Sequence, residues 1–234
     1  MPTSDAVILP NNIKPSKYVL NLTPNLDEFT FSGKESIEIE IREQTDSIML
    51  NCAEIEIQSA HLQSTSNNSL FPTKTIFDKD NETVTFQFGS TLSLGAATLE
   101  IEFTGELNDK LRGFYRSKYS DAAGIEHYMA TTQFEATDAR RAFPCWDEPA
   151  LKAIFQVTLD VPSQLVAISN MPVVSTNNLG NGVSRVNFDE TPLMSTYLLA
   201  FVIGDLKCIE QQAPCGTIIR IWTTPGKEIQ GTFA

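Results

Sequence analysis

The run "SIEIEIRE" (residues 36–43) alternates apolar and charged side chains, with Ile37, Ile39 and Ile41 facing one way and Glu38 and Glu40 the other. Period-two alternation sets one face of a strand on a core and the other in water. Comparable runs recur along the chain: "KYVLNLT", "SIMLNC", "EIEIQSAHLQS", "ETVTFQF", "ATLEIEFTGEL", "RGFYRSKY", "GIEHYMATTQF", "AIFQVTLDV", "LVAISN" and "VSRVNFDE". The clusters "TSNNSLFP", "DKDNE", "GSTLSLGA" and "STNNLGNG" separate them as turns. "YLLAFVIGDLKC" is a further candidate, and its "YLLAFVIG" part is the most continuously apolar strand and reads as central, covered on both faces. A dozen short strands at this spacing predict an all-β fold, an antiparallel sandwich or one large curved sheet. The best helical candidate is a short turn around "TDARRA", with Thr137 as N-cap and Pro144 ending it.

Length and charge narrow the function classes. The 234 residues hold one large all-β domain or two small ones. A net charge of −12 and a pI near 4.6 argue against nucleic acid, whose phosphates require a basic face. The opening "MPTSDAVILPNNIKPSKY" has neither a basic n-region nor a long apolar stretch, and no run of 18 apolar residues occurs. Neither a signal peptide nor a membrane span is therefore expected. Cys52, Cys145, Cys208 and Cys215 lack metal-like spacing and fit four reduced thiols in a cytoplasmic protein. The glycosylation-type triplets at Asn21, Asn67 and Asn81 then read as chance matches.

One stretch breaks the strand rhythm. "TTQFEATDARRAFPCWDEPALKA" (residues 131–153) crowds four carboxylates, two arginines, two prolines, three aromatics and a cysteine into one segment. Cys145 has no histidine near it in sequence and reads as a buried structural thiol rather than a nucleophile. Asp147 and Glu148 are adjacent, so they point apart; they are either a solvated turn or partners for Arg140 and Arg141. Asp138 reads as a first-turn acid favoured by a helix dipole. Glu135 and Gln133 share one parity and hence one face, opposite Phe134, where a strand gives way to a loop. That placement suits a ligand-facing pair or an ordinary wet strand end. Only His61 and His127 offer imidazole, on different predicted strands, and no H-E-x-x-H is present, so no metal site is expected in this chain.

The same stretch, with "LPNNIKPSKYVLNLTPNL", "LRGFYRSKY" and "TPLMSTYLLAFVIGD", resembles the N-terminal domain of the zinc aminopeptidases related to aminopeptidase N and puromycin-sensitive aminopeptidase. The likeness spans essentially the whole chain, and "QFEATDARRAFPCWDEPA" is most similar to the cytosolic puromycin-sensitive branch. The resemblance implies a large saddle-shaped antiparallel β domain over residues 1–206. Residues 207–234 would then be the linker and first strand of a truncated catalytic domain. It implies that Glu135 grips the free α-ammonium of a peptide substrate and that Gln133 lines the pocket for its first side chain. It further implies a cis peptide at Glu135–Ala136. In the family the zinc helix, the third zinc ligand, the transition-state tyrosine and the G-x-M-E-N loop lie downstream, so zinc belongs to the full-length parent and this piece alone should not hydrolyse peptides. The face that packs on the missing catalytic domain should be an apolar patch. A scaffold module with the same saddle and no peptidase function is the alternative. A carbohydrate-binding sandwich would need exposed aromatic platforms, which Trp146 beside a proline-bounded turn does not supply.

Overall fold

The alternation of residues 36–43 belongs to a twelve-residue strand, Thr30–Ile41, in the computed structural model of the chain. That structure describes residues 8–64, 69–121 and 123–233. Asn67, the first half of the "TSNNSLFP" turn and the first seven residues lie outside them. In chain order the strands are β1 (Ile13–Asn25), β2 (Thr30–Ile41), β3 (Ser47–Asn51), β4 (Ile55–Ser64), β5 (Ser69–Leu70), β6 (Lys74–Asp78), β7 (Thr83–Gln87), β8 (Gly95–Glu106) and β9 (Gly113–Ser120). They continue as β10 (Glu126–Gln133), β11 (Ile154–Pro162), β12 (Val166–Ser169), β13 (Val173–Gly180), β14 (Val183–Phe188), β15 (Phe201–Gly204), β16 (Lys207–Gln212) and β17 (Ile218–Thr223). Short 3-10 turns are the only helical elements among the described residues, so the fold is all-β. None of them is long and apolar enough to cross a membrane.

Four sheets result. The largest runs β13-β14-β11-β1-β2-β8-β4-β5; a second runs β12-β15-β10-β9; a third runs β3-β7-β6; and β16 pairs only with β17. Among the described strands every pairing is antiparallel except β1 with β11, which is parallel and joins Lys17 to Ile154. The all-β, antiparallel expectation holds, with this one parallel pair inside the largest sheet. Side-chain alternation has the same period in both orientations, so sequence pattern does not distinguish them.

The core lies where inward faces meet. Ile37, Ile39 and Ile41 are 0%, 3% and 2% exposed. Across the strands, Phe31 faces Gly105 and Gly33 faces Phe103. Each ring lies over the glycine opposite it: a Cβ at Gly33 would sit 2.3 Å from the Phe103 ring, and one at Gly105 would sit 2.4 Å from Phe31. Both glycines are therefore required by close approach rather than by a turn.

Three readings are corrected. "STNNLGNG" is mostly strand: β13 covers Val173–Gly180 and only the Gly180–Gly182 corner turns. Strand β13, like β6, is an edge strand exposed at every position, so it carries no apolar alternation to read. The "YLLAFVIGDLKC" run divides. Thr196–Leu198 form a 3-10 turn, β15 begins only at Phe201, and Lys207 opens β16. Asn170 holds the first part out of the sheet, donating to the Leu198 carbonyl and accepting the Ala200 N–H. β15 itself is an inner strand, as its apolar character indicates. The third correction, in the "TDARRA" turn, belongs to the site.

Strict alternation has one costly result. Glu35 shares the parity of Ile37 and Ile39, so β2 carries it inward, where it is 0% exposed with neither carboxylate oxygen hydrogen-bonded among the described residues. Burial pushes its pKa well above the carboxylate range. The folded state thus holds a proton that the unfolded chain releases at lower pH. Stability is intact below the unfolded pKa and falls as pH rises toward the folded one, by about 1.4 kcal/mol per pH unit. Urea unfolding between pH 5 and pH 8 should show Glu35→Gln losing less stability with rising pH than the parent. Parallel pH profiles would show that Glu35 does not titrate in the fold.

Candidate functional site

The segment that interrupts the strands leaves the end of β10 and crosses between sheets. Phe134, 2% exposed, enters the core with its ring 6.0 Å from Phe143 and 5.9 Å from Phe201. Its neighbours Gln133 and Glu135 point the other way and are exposed, as parity requires. The Glu135–Ala136 peptide is cis. Gln133 Nε2 donates to the Glu135 carbonyl at 3.4 Å, while the Glu135 carboxylate makes no hydrogen bond or ion pair among the described residues. An exposed carboxylate without a partner retains its full capacity to accept donors from a ligand.

Gln133 and Glu135 stand at the end of a distinctive sheet face. Directly opposed residues in antiparallel strands share a face. The registers Gln133↔Gly113, Thr131↔Tyr115, Thr131↔Val202, Met129↔Ser117 and Ile168↔Val202 therefore put Tyr115, Met129, Val202 and Ile168 on the same side as Gln133. All four are only half-buried, whereas Phe114, Ala130 and Phe201 on the opposite side are fully buried. The outward face is thus apolar and partly uncovered.

Beyond Glu135 the loop is held by ions. The turn around "TDARRA" is a single 3-10 turn, Ala139–Arg141, preceded by Asp138 rather than by Thr137, and no side chain caps it. Asp138 is unavailable as a cap because its Oδ1 accepts Arg141 Nε at 2.7 Å. Arg141 Nη1 also meets Glu54 Oε1 at 3.1 Å, and its Nη2 pairs with Glu82. Burial opposes the Arg141 charge, but Asp138, Glu82 and Glu54 outweigh it and raise the pKa. Arg140 Nη1 meets the other Glu82 oxygen at 3.3 Å, and its Nε meets Asp147 Oδ2 at 3.0 Å. Asp147 is 3% exposed. Its second oxygen accepts Thr196 Oγ1 at 2.7 Å, and its N–H donates to Asn51 Oδ1 at 3.0 Å. Of the two readings for Asp147, partner to an arginine is the one realised. Glu148 instead accepts the Leu9 N–H at 2.7 Å.

Cys145 is fully buried and exchanges backbone hydrogen bonds with Asn51 at 2.8 and 3.0 Å, a stitch rather than a nucleophile's setting. All four cysteines are free. No three His, Cys, Asp or Glu side chains converge on a metal-sized site among the described residues. His61 and His127 lie in different sheets beside Glu100 and Asp121. Among the described residues these side chains do not gather into a tetrahedral donor set. Sequence reasoning singled out Glu135 and Gln133 but missed Glu54 and Glu82, whose only local signal is an acidic residue in a turn.

The fold and its loop define an all-β domain that presents an unpaired carboxylate at the margin of a half-covered apolar face. The family model described as the Peptidase M1 N-terminal domain matches residues 14–198, and the chain belongs to that family. Aminopeptidase 2 of Candida albicans is 46% identical over 231 residues, covering 97% of this chain and 24% of that protein. The alanine/arginine aminopeptidase of Saccharomyces cerevisiae is 43% identical, with 97% and 26% covered. The puromycin-sensitive aminopeptidase of Caenorhabditis elegans is 40% identical, with 97% and 24% covered. The chain spans about a quarter of the length of these curated relatives.

The thiols give a direct check on the loop. Burial pushes Cys52 up to about 12 and Cys145 well above its ordinary value, while exposed Cys215 is lowered by a hydrogen bond with Thr217. Alkylation of the folded chain with iodoacetamide near pH 8 should modify Cys215 and Cys208 and spare Cys52 and Cys145 until denaturant is added. Early modification of Cys145, read by peptide mass mapping, would contradict the packing described.

Proposed function

We propose that this chain is the substrate-recognition domain of a zinc-dependent aminopeptidase, with Glu135 as the anchor for the α-ammonium of a peptide and Gln133 lining the pocket for the first side chain. The observation that carries the reading is the Glu135 carboxylate itself: exposed, unpaired and mounted at the end of β10 on a loop whose far side is tied into the core. A carboxylate fixed at one end of a cleft accepts charge-assisted hydrogen bonds only from a substrate that begins there. It thereby sets the first peptide bond at a constant distance from the catalytic group, which is what distinguishes removal of terminal residues from internal cleavage.

Zinc and the water-activating base belong, in this reading, to a catalytic domain continuing from residues 207–234. The β16–β17 hairpin, which joins no other sheet, supports a boundary near residue 206. The outward face bearing Tyr115, Met129, Val202 and Ile168 suits packing against that domain. Residues 1–206 supply orientation, and the 234-residue chain alone does not hydrolyse peptides. A cytoplasmic setting fits the four free thiols. The scaffold alternative gains nothing from an unpaired carboxylate directed outward.

Glu135→Ala in the full-length enzyme should lower kcat/KM on a free-amine peptide by about 10- to 150-fold, the worth of one charge-assisted hydrogen bond. Steady-state kinetics on a free-amine dipeptide substrate decides it; unchanged kcat/KM overturns the anchor.

A further inference from the structure

We propose that Arg141 is a positioning residue for Glu135: gripped by Glu54 and Glu82, it holds Asp138 and so fixes the turn from which the Glu135 carboxylate projects. This rests on the reading of Glu135 as the amine anchor and deepens it.

The turn between Phe134 and Asp138 is secured at two places. At its start, Phe134 is locked into the aromatic core and Gln133 pairs with Gly113 of β9. At its end, the Asp138 N–H donates to the Phe134 carbonyl at 2.9 Å, and the Asp138 carboxylate receives Arg141 Nε at 2.7 Å. Between them Glu135, Ala136 and Thr137 are all exposed, and among the described residues their side chains make no hydrogen bond or ion pair. Among the described residues only the Arg141–Asp138 pair ties the far end of this turn to the rest of the fold through side chains.

Arg141 is suited to the task. Its side chain is 8% exposed. Gly113, at φ 67°, lies so close that a Cβ there would be 2.7 Å from Arg141 Cβ, which leaves the arginine stem no room toward β9. Its planar head engages three carboxylates at once: Asp138 through Nε, Glu54 through Nη1 and Glu82 through Nη2. A lysine offers a point charge and cannot reproduce that fork. Glu54 and Glu82 come from the β3–β4 and β6–β7 turns, each held at a left-handed φ, 57° and 51°. Glu82 also reaches Arg140, and Arg140 reaches buried Asp147. The grip on Asp138 is thus referred to three sheets rather than to a flexible neighbour.

The test is a double-mutant cycle in the full-length enzyme on a free-amine dipeptide substrate. Asp138→Asn should lower kcat/KM about 10-fold, since a displacement near 1 Å of a positioning group is enough for losses of that order. In a Glu135→Gln background the same substitution should cost less than about 2-fold, because the group it positions is already disabled. Arg141→Lys should show the same dependence on background, and thermal unfolding run alongside separates it from global destabilisation. Equal losses in both backgrounds overturn the proposal and reduce the pair to a general structural contact, as does no loss from Asp138→Asn where Glu135→Gln alone is costly. If Glu135→Gln itself costs nothing, the anchor reading fails first.

Discussion

Two neighbouring arginines beneath an irregular loop carry the constraint on which the architecture turns. Arg140 and its partner Asp147 have side chains 12% and 1% exposed. Leaving either charge buried without the other costs about 3–5 kcal/mol, so neither is dispensable alone. Their companions come from separate regions: Asn51 at the end of β3, Glu82 between β6 and β7, Thr196 in the 3-10 turn before β15. The loop therefore closes only when those regions have been assembled around it. Its aromatic backing, Phe134 with Phe143 and Phe201, depends on the same closure.

Much of the fold was legible because burial leaves a period in the sequence. β2, β8 and β11 each alternate as a half-covered strand must. Where a strand buries nothing the signal vanishes. Lys74–Asp78 and Val173–Gly180 are strands only because β7 and β14 offer backbone partners, and the asparagines and glycine of the latter resemble a turn. Glu35 shows the converse. Its position in an unbroken alternation predicts burial, yet its chemistry reads as surface, and the register prevails because a one-residue slip would expose every isoleucine of the strand.

The candidate site divides along the same line. Parity within one strand placed Gln133 and Glu135 on one face and Phe134 on the other, and the structure agrees. The family resemblance assigned those residues a role that spacing left open. The ion network behind them was invisible. Arg141 finds Glu82 and Glu54 across more than fifty residues of chain, a pairing fixed by how sheets pack rather than by local pattern. Even Asp138, three residues away, has the local pattern of a helix acid, whereas its carboxylate serves the arginine.

The parallel pairing of β1 with β11 governs the order in which the molecule can be made. β1 has β2 on one side within moments of synthesis, but its other edge waits for β11, with Lys17 opposite Ile154. At roughly 5–20 residues per second, a ribosome needs on the order of ten seconds to deliver that partner. Throughout that interval the nascent chain carries an open apolar edge, Tyr18, Leu20 and Leu22 among it, which a chaperone or another nascent chain is free to meet.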